Sequence, residues 1–230
     1  MKKVLVAALL FFLSAVAVAQ QDYVGRYDAY GGFSYLSAPD IRLGQWGFNT
    51  QEGVNVKRWL AFGFDYSIQT GSTTLRPGEL NDATLAKLAP LVSGLPAGYN
   101  LFVPFDATTQ TFAAGPQLEY RHFKRFTLFV HPSIGAIHES IDLKAHDTIT
   151  AELLAALPEL GVAAGPKLHD TTYFYGVGGG ADFNATKHLH FRCDLEYVHT
   201  FLFSDLLAQP RNAIRVSVGP TFNFGGNVAQ

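Results

Sequence analysis

Ile214-Arg215-Val216-Ser217-Val218-Gly219-Pro220-Thr221-Phe222-Asn223-Phe224 alternates without a break. Side chains of a strand point to opposite faces in turn. One face therefore carries Ile214, Val216, Val218, Pro220, Phe222 and Phe224. The other carries Arg215, Ser217, Gly219, Thr221 and Asn223. One face is wholly apolar and the other is polar or small. In a soluble sheet the apolar face covers a core. In a closed sheet spanning a bilayer it meets lipid, and the polar face meets the interior.

The same alternation recurs upstream. Strands are expected at residues 26–35, 45–56, 59–70, 111–121, 126–139, 172–184 and 188–203, which makes eight with the last. Within residues 59–70, Leu60, Phe62, Phe64, Tyr66 and Ile68 share a face against Gly63, Asp65, Ser67 and Gln69. The second strand is the least regular, because Glu52 falls on its apolar face and calls for a bulge. Turns at Lys57-Arg58, His122 to Arg125 and Ala185-Thr186-Lys187 are short. Residues 71–108 and 142–170 are long excursions with helical patterns, Leu80–Val92 and Thr148–Leu157. Asn81 or Asp82 is a suitable N-cap for the first, and Pro158 stops the second. The two helices are expected either to form a joint lid or to shield their own apolar faces separately.

Ser217, Gly219, Phe222 and Phe224 fill the positions polar, Gly, aromatic and aromatic. In this they resemble the C-terminal assembly signal of bacterial outer-membrane β-barrel proteins. With the short-turn, long-loop alternation, the chain resembles eight-stranded barrels of the OmpA/OmpX-like type. That resemblance implies an all-β, antiparallel up-and-down transmembrane barrel at residues 20–230. Both termini would lie in the periplasm, with 225–230 as a tail there and no peptidoglycan-binding domain after it. It also implies three partners: outer-membrane lipid, lipopolysaccharide and the barrel assembly machinery.

Met1 to Ala19 has the form of an export signal: Lys2 and Lys3, an apolar run from Val4 to Phe12, and Ala17-Val18-Ala19 before cleavage. The expected destination is the outer membrane. The single Cys193 excludes an internal disulfide. Charged residues make up 16% of the 230, below the ~25% usual in soluble proteins. A net charge of −2 gives no support to nucleic-acid binding.

Asp28, Asp65, Glu119, Arg121, Asp182, Arg192, Asp194, Glu196 and Arg215 all fall on the inward face. A barrel of eight strands is just filled by side chains, and buried charges must be paired. These nine are expected to plug the interior. Arg192, Arg215 and the carboxylates of the sixth and seventh strands should be the centre. A gated path for ions is the rival reading. The run Gly176 to Gly180 lacks the strand-to-helix context of a phosphate loop and is expected to make room for bulky neighbours. His131 and Ser133, with Glu139 beyond, faintly resemble the His-x-Ser pair of outer-membrane lipid A deacylases, but point inward. No metal-ligand spacing and no cofactor motif is present among the eight His.

The function expected is therefore structural or surface-interacting, without catalysis. A narrow pore, a lipid-modifying enzyme and a soluble lipocalin-like binder are the alternatives. Any extracellular ligand is expected at loops 71–108 and 142–170.

Overall fold

The computed structural model describes residues 23–162, 165–208 and 211–228, so the export signal lies outside the described residues. Eight strands form a closed ring in chain order: β1 (Gly25–Ala38), β2 (Leu43–Lys57), β3 (Leu60–Leu75), β4 (Val103–Tyr120), β5 (Phe126–Leu143), β6 (Lys167–Asn184), β7 (Leu189–Thr200) and β8 (Arg211–Asn227). Every neighbouring pair is antiparallel, and β8 closes on β1 through rungs such as Tyr35↔Val216 and Ala29↔Phe222. Helices α1 (Asp82–Ser93) and α2 (Thr148–Ala156) sit in the two long connections.

The outside is apolar and the inside polar. Phe64 and Ile134 are each 71% exposed, and Trp46 is 70% exposed. Ser67 and Gln69 are fully buried, and Arg215 is 3% exposed. In water each exposed large side chain would forgo about 1.5–3 kcal/mol of burial. The chain thus needs lipid around it, and a soluble barrel with an apolar cavity is the inverse of what is seen. Aromatics gather at both rims: Tyr27 against Phe224 and Phe126 against Phe183 at one end, Tyr35 against Trp46 and Tyr66 against Phe112 at the other. That is the girdle pattern of a band ~25 Å tall.

Several boundaries differ from the sequence reading. β3 runs on to Leu75, β4 begins at Val103, β5 reaches Leu143 and β6 begins at Lys167. The expected excursions 71–108 and 142–170 are accordingly shorter. Above the apolar band the ladder continues, but outward positions become Thr108, His138, Ser140 and Thr171, so the apolar signal stops before the strand does. β6 also outruns β7: Lys167 to Tyr173 pair with β5, and pairing with β7 starts at Phe174↔Thr200. One side of the outer rim therefore stands taller than the other.

Glu52 does point outward, between Ala29 and Phe64, and both registers pass it unshifted. The expected bulge is absent there; the irregularity lies between Asn55 and Lys57. Glu52 sits toward the turn end of β2, where charge is tolerated better than at mid-depth.

The stretch after Phe224 does not hang free. β8 continues to Asn227, which pairs with Gly25; the Val24 amide donates to Asn227 Oδ1 at 2.9 Å, and the Val228 amide to the Val24 carbonyl at 2.8 Å. The tail is part of the seam as far as Val228, because Gly225 at φ 92° lets the chain turn back onto β1.

On the β4–β5 seam, rungs run up to Ala114↔Ile134 and resume at Leu118↔Val130. Between them Pro116 stands opposite Pro132, and neither has an amide proton to donate.

Candidate functional site

The interior is built by strand parity: every second residue of every strand is sent into the lumen, where a cavity of about 50 Å³ remains beside Asp65, His131, Arg192, Glu196 and Arg215. All nine charged residues expected inside are found there. Asp182 and Arg192 face each other across the β6–β7 rung and bond twice, at 2.8 and 2.9 Å. Arg192 also donates to Gln51 at 2.8 Å and lies 4.5 Å from the Phe129 ring centroid. Arg215 is the crossing point. It donates to Asp65 at 2.8 Å, Glu196 at 2.5 Å, Ser67 at 2.8 Å and Thr111 at 3.1 Å. Three strands, β3, β4 and β7, are thus tied to β8 by one guanidinium.

Asp194 meets His131 at 3.2 Å and accepts from Gln51 at 3.3 Å. Glu119 and Arg121 pair with one another on β4, where Arg121 also reaches the Arg58 carbonyl at 3.1 Å. Asp28 accepts from Asn55 and Asn223, each at 2.6 Å. The inward glycines do make room: a Cβ on Gly178 would collide with His131, and one on Gly176 with Ser133 and Glu196.

Sequence reasoning missed the upper layer. Arg211 bonds Glu139 at 2.6 and 3.0 Å, and Thr109 bridges Glu139 to Gln45 at 2.7 and 2.9 Å. Arg211 lies beyond the apolar alternation that marked β8. Its basic character opposite the inward Glu139 was the only signal on offer.

His131 and Ser133 do not bond to each other. The Ser133 hydroxyl donates to Glu196 at 2.5 Å, while His131 Nε2 faces Asp194. A serine nucleophile needs its base within reach, and here a carboxylate holds the hydroxyl instead. Among the described residues no group of three or more His, Cys, Asp and Glu is placed to hold a metal ion.

Above the ion pairs the filling turns apolar. Leu36, Leu43, Phe105, Ile141, Phe174 and Leu202 form one buried cluster with Leu80 and Leu88 of the first long loop and Leu153, Leu154 and Leu157 of the second. The two helices are thus a joint lid. Asn81 caps α1 by accepting from the Thr84 amide at 2.7 Å, and Asp147 caps α2 by accepting from the Thr150 amide at 2.8 Å. Lys87 reaches the Gly161 carbonyl at 3.0 Å, Phe102 stacks on His146, and the Tyr99 hydroxyl donates to Asp147 at 2.6 Å. The third outer loop joins through Leu80↔Leu207 and through Asn81, whose amide donates to the Leu206 carbonyl. A cavity of about 60 Å³ remains beneath, lined by leucines that include Leu75, Leu101, Leu143 and Leu206.

The Tyr99–Asp147 contact sets a pH range for the lid. The hydrogen bond from Tyr99 and those from Thr150 bring Asp147 down to about 2, and the same bond pushes Tyr99 up to about 12. A lowered carboxylate stabilises the fold above its ordinary value of 3.8 and loses that contribution as pH falls toward 2. A raised phenol contributes below its ordinary 10.0 and loses this as pH rises toward 12. Protease cleavage within residues 144–166 should be slow and flat between those limits and faster below pH 4, with Asp147→Asn showing no acid step.

The chain matches the family model described as "Outer membrane protein beta-barrel domain" over residues 5–224. Among solved structures it is similar to Neisserial surface protein A (NspA), at 11% identity and a TM-score of 0.52, covering 86% of this chain and 96% of that one. It is also similar to the outer membrane protein OprG from Pseudomonas aeruginosa, at 9% identity and a TM-score of 0.51, covering 90% and 99%. At these identities the likeness is one of fold. No curated protein matches the chain.

Proposed function

The chain belongs to the outer membrane protein β-barrel domain family, and from that premise we propose that it is a sealed barrel whose work is done by its extracellular lid. The family places it in the outer membrane. The observation that carries the reading is the crossing of the lumen by Arg215, which joins β8 to β3, β4 and β7 at one level. A path for ions would have to break that level and then the leucine layer above it. The interior is structural, and the surface presented outward is the lid formed by the loops. A ligand or partner cell surface would meet those loops.

In this reading residues 1–19 direct export and are removed near Ala19, and Ser217, Gly219, Phe222 and Phe224 are read by the barrel assembly machinery. Both termini face the periplasm. The barrel wall is bathed in lipid, with lipopolysaccharide at the lid end. The Ser133–Glu196 bond supports a role without catalysis.

Planar-bilayer recording tests the seal: the purified chain should give no discrete steps, and steady single-channel conductance would overturn it. A second experiment tests the lid. Deleting residues 82–94 should leave an inserted barrel, because the ladder does not pass through α1. It should raise protease cleavage in residues 144–166 several-fold, because Leu153, Leu154 and Leu157 lose the leucines they pack against. Unchanged cleavage would mean that the two loops stand independently.

A further inference from the structure

The net charge of −2 conceals a basic rim at the short-loop end of the barrel. Each of the three tight turns that close the short-loop end is basic: Lys57-Arg58, Lys124-Arg125 and Lys187. Lys57, Lys124, Arg125 and Lys187 are exposed, and none enters a salt bridge among the described residues. No acidic residue occurs in these turns. Of the carboxylates toward this end, Glu119 and Asp182 are buried inside and already paired with Arg121 and Arg192, and Glu52 is exposed on the outer wall of β2. The lid end carries both signs, with Asp40, Asp82, Asp142, Glu152, Glu159 and Asp205 exposed alongside Arg42, Arg76, Lys87, Lys144 and Lys167.

The basic turns lie immediately beyond the lower aromatic girdle of Tyr27, Trp59, Tyr120, Phe183 and Phe224. Lipid headgroups occupy that depth. We propose that this ring of turns binds the anionic phospholipid headgroups of the adjacent leaflet, with the phosphate as the recognised group. In the orientation proposed above, that leaflet is the periplasmic one. Lys124, Arg125 and Lys187 line one open cleft and can close on a single headgroup phosphate, and Lys57 on the β2–β3 turn can engage another, which anchors the barrel at fixed depth and collects anionic lipid around its base.

Trp59 sits in the ring and provides the probe; Trp46, the other tryptophan, is at the far rim. The full chain carrying Trp46→Phe is reconstituted in phosphatidylcholine vesicles with either brominated phosphatidylglycerol or brominated phosphatidylcholine at equal mole fraction. Quenching of Trp59 should be about threefold stronger by the anionic lipid. It should fall to parity in ~1 M salt, where screening shortens to ~3 Å, and in the Lys57→Gln, Lys124→Gln, Arg125→Gln, Lys187→Gln variant. Equal quenching in the unsubstituted turns, or a preference that survives both salt and substitution, overturns the proposal. Binding to purified peptidoglycan that is lost in the variant, without any lipid preference, would assign the ring to the cell wall instead. The quenching reads the basic end whichever way it faces. Protease applied to intact cells reads orientation separately, and cleavage at Lys187 would overturn the orientation while leaving the lipid preference intact.

Discussion

Replacing Arg215 with Met should lower folding stability by about 3–5 kcal/mol. The guanidinium is 3% exposed and holds two carboxylates, Asp65 and Glu196, from opposite sides of the lumen. Removing it leaves both buried without their cation, and an unpaired buried charge is far costlier than a missing pair. Urea titration of the barrel folded in vesicles measures the loss. The control is decisive: adding Asp65→Asn and Glu196→Gln to Arg215→Met should recover most of it, since neutral amides need no counter-charge. A single substitution with stability within ~0.5 kcal/mol of the unaltered chain, the usual size of a surface change, would show that Arg215 is not the tie across the lumen.

The pair Phe222→Ser with Phe224→Ser should abolish insertion. Both rings face lipid at the closing seam, and Phe224 packs on Tyr27 with centroids 5.7 Å apart. Each ring gives up about 1.5–3 kcal/mol of transfer to lipid, at the strand that must close the ring. The readout is the heat-dependent shift of the folded band on a gel, which should disappear. Truncation after Phe224 makes the contrast. Among the bonds it removes at the seam are Tyr23 hydroxyl to the Gly225 carbonyl, the Val24 amide to Asn227 Oδ1, and the Val228 amide to the Val24 carbonyl. At about 0.5–1.5 kcal/mol each, that is a loss of about 1.5–4.5 kcal/mol, so the truncated barrel should still insert but melt earlier.

The strands were legible because lipid imposes a period of two with a strict apolar face, as in Leu60 to Ile68. Legibility ended where lipid ended. Above the band, His138, Ser140 and Thr171 keep the ladder without keeping the pattern, so the strands read as too short. The inward face was equally legible, since parity alone sends Asp65, Glu196 and Arg215 inside. Their pairing was not. Asp65 and Arg215 stand 150 positions apart and meet only because the ring is closed and narrow. The Asp182–Arg192 pair is different, for both residues lie near one tight turn and share a rung. Arg211 went unnoticed because it lies before the apolar alternation of β8 begins at Ile214, and in the sequence Glu139 groups with His131 and Ser133 rather than with its real partner. The two loop helices could be found from their leucines, but a leucine periodicity does not say which neighbour will cover it.

The facing prolines on β4 and β5 give the wall a grain. Between Ala114↔Ile134 and Leu118↔Val130 the two strands are joined by no rungs, and Gly115 lies so close to the Pro132 carbonyl that even a methyl group would collide with it. The β8–β1 border has a matching interruption, with no rung between Tyr30↔Thr221 and Phe33↔Val218, where Pro220 stands. The two interruptions lie on opposite sides of the ring and divide it into two four-stave shells, β1 to β4 and β5 to β8. The Arg215 tie spans the shells, joining β8 to β3 and β4, and so braces the wall across both.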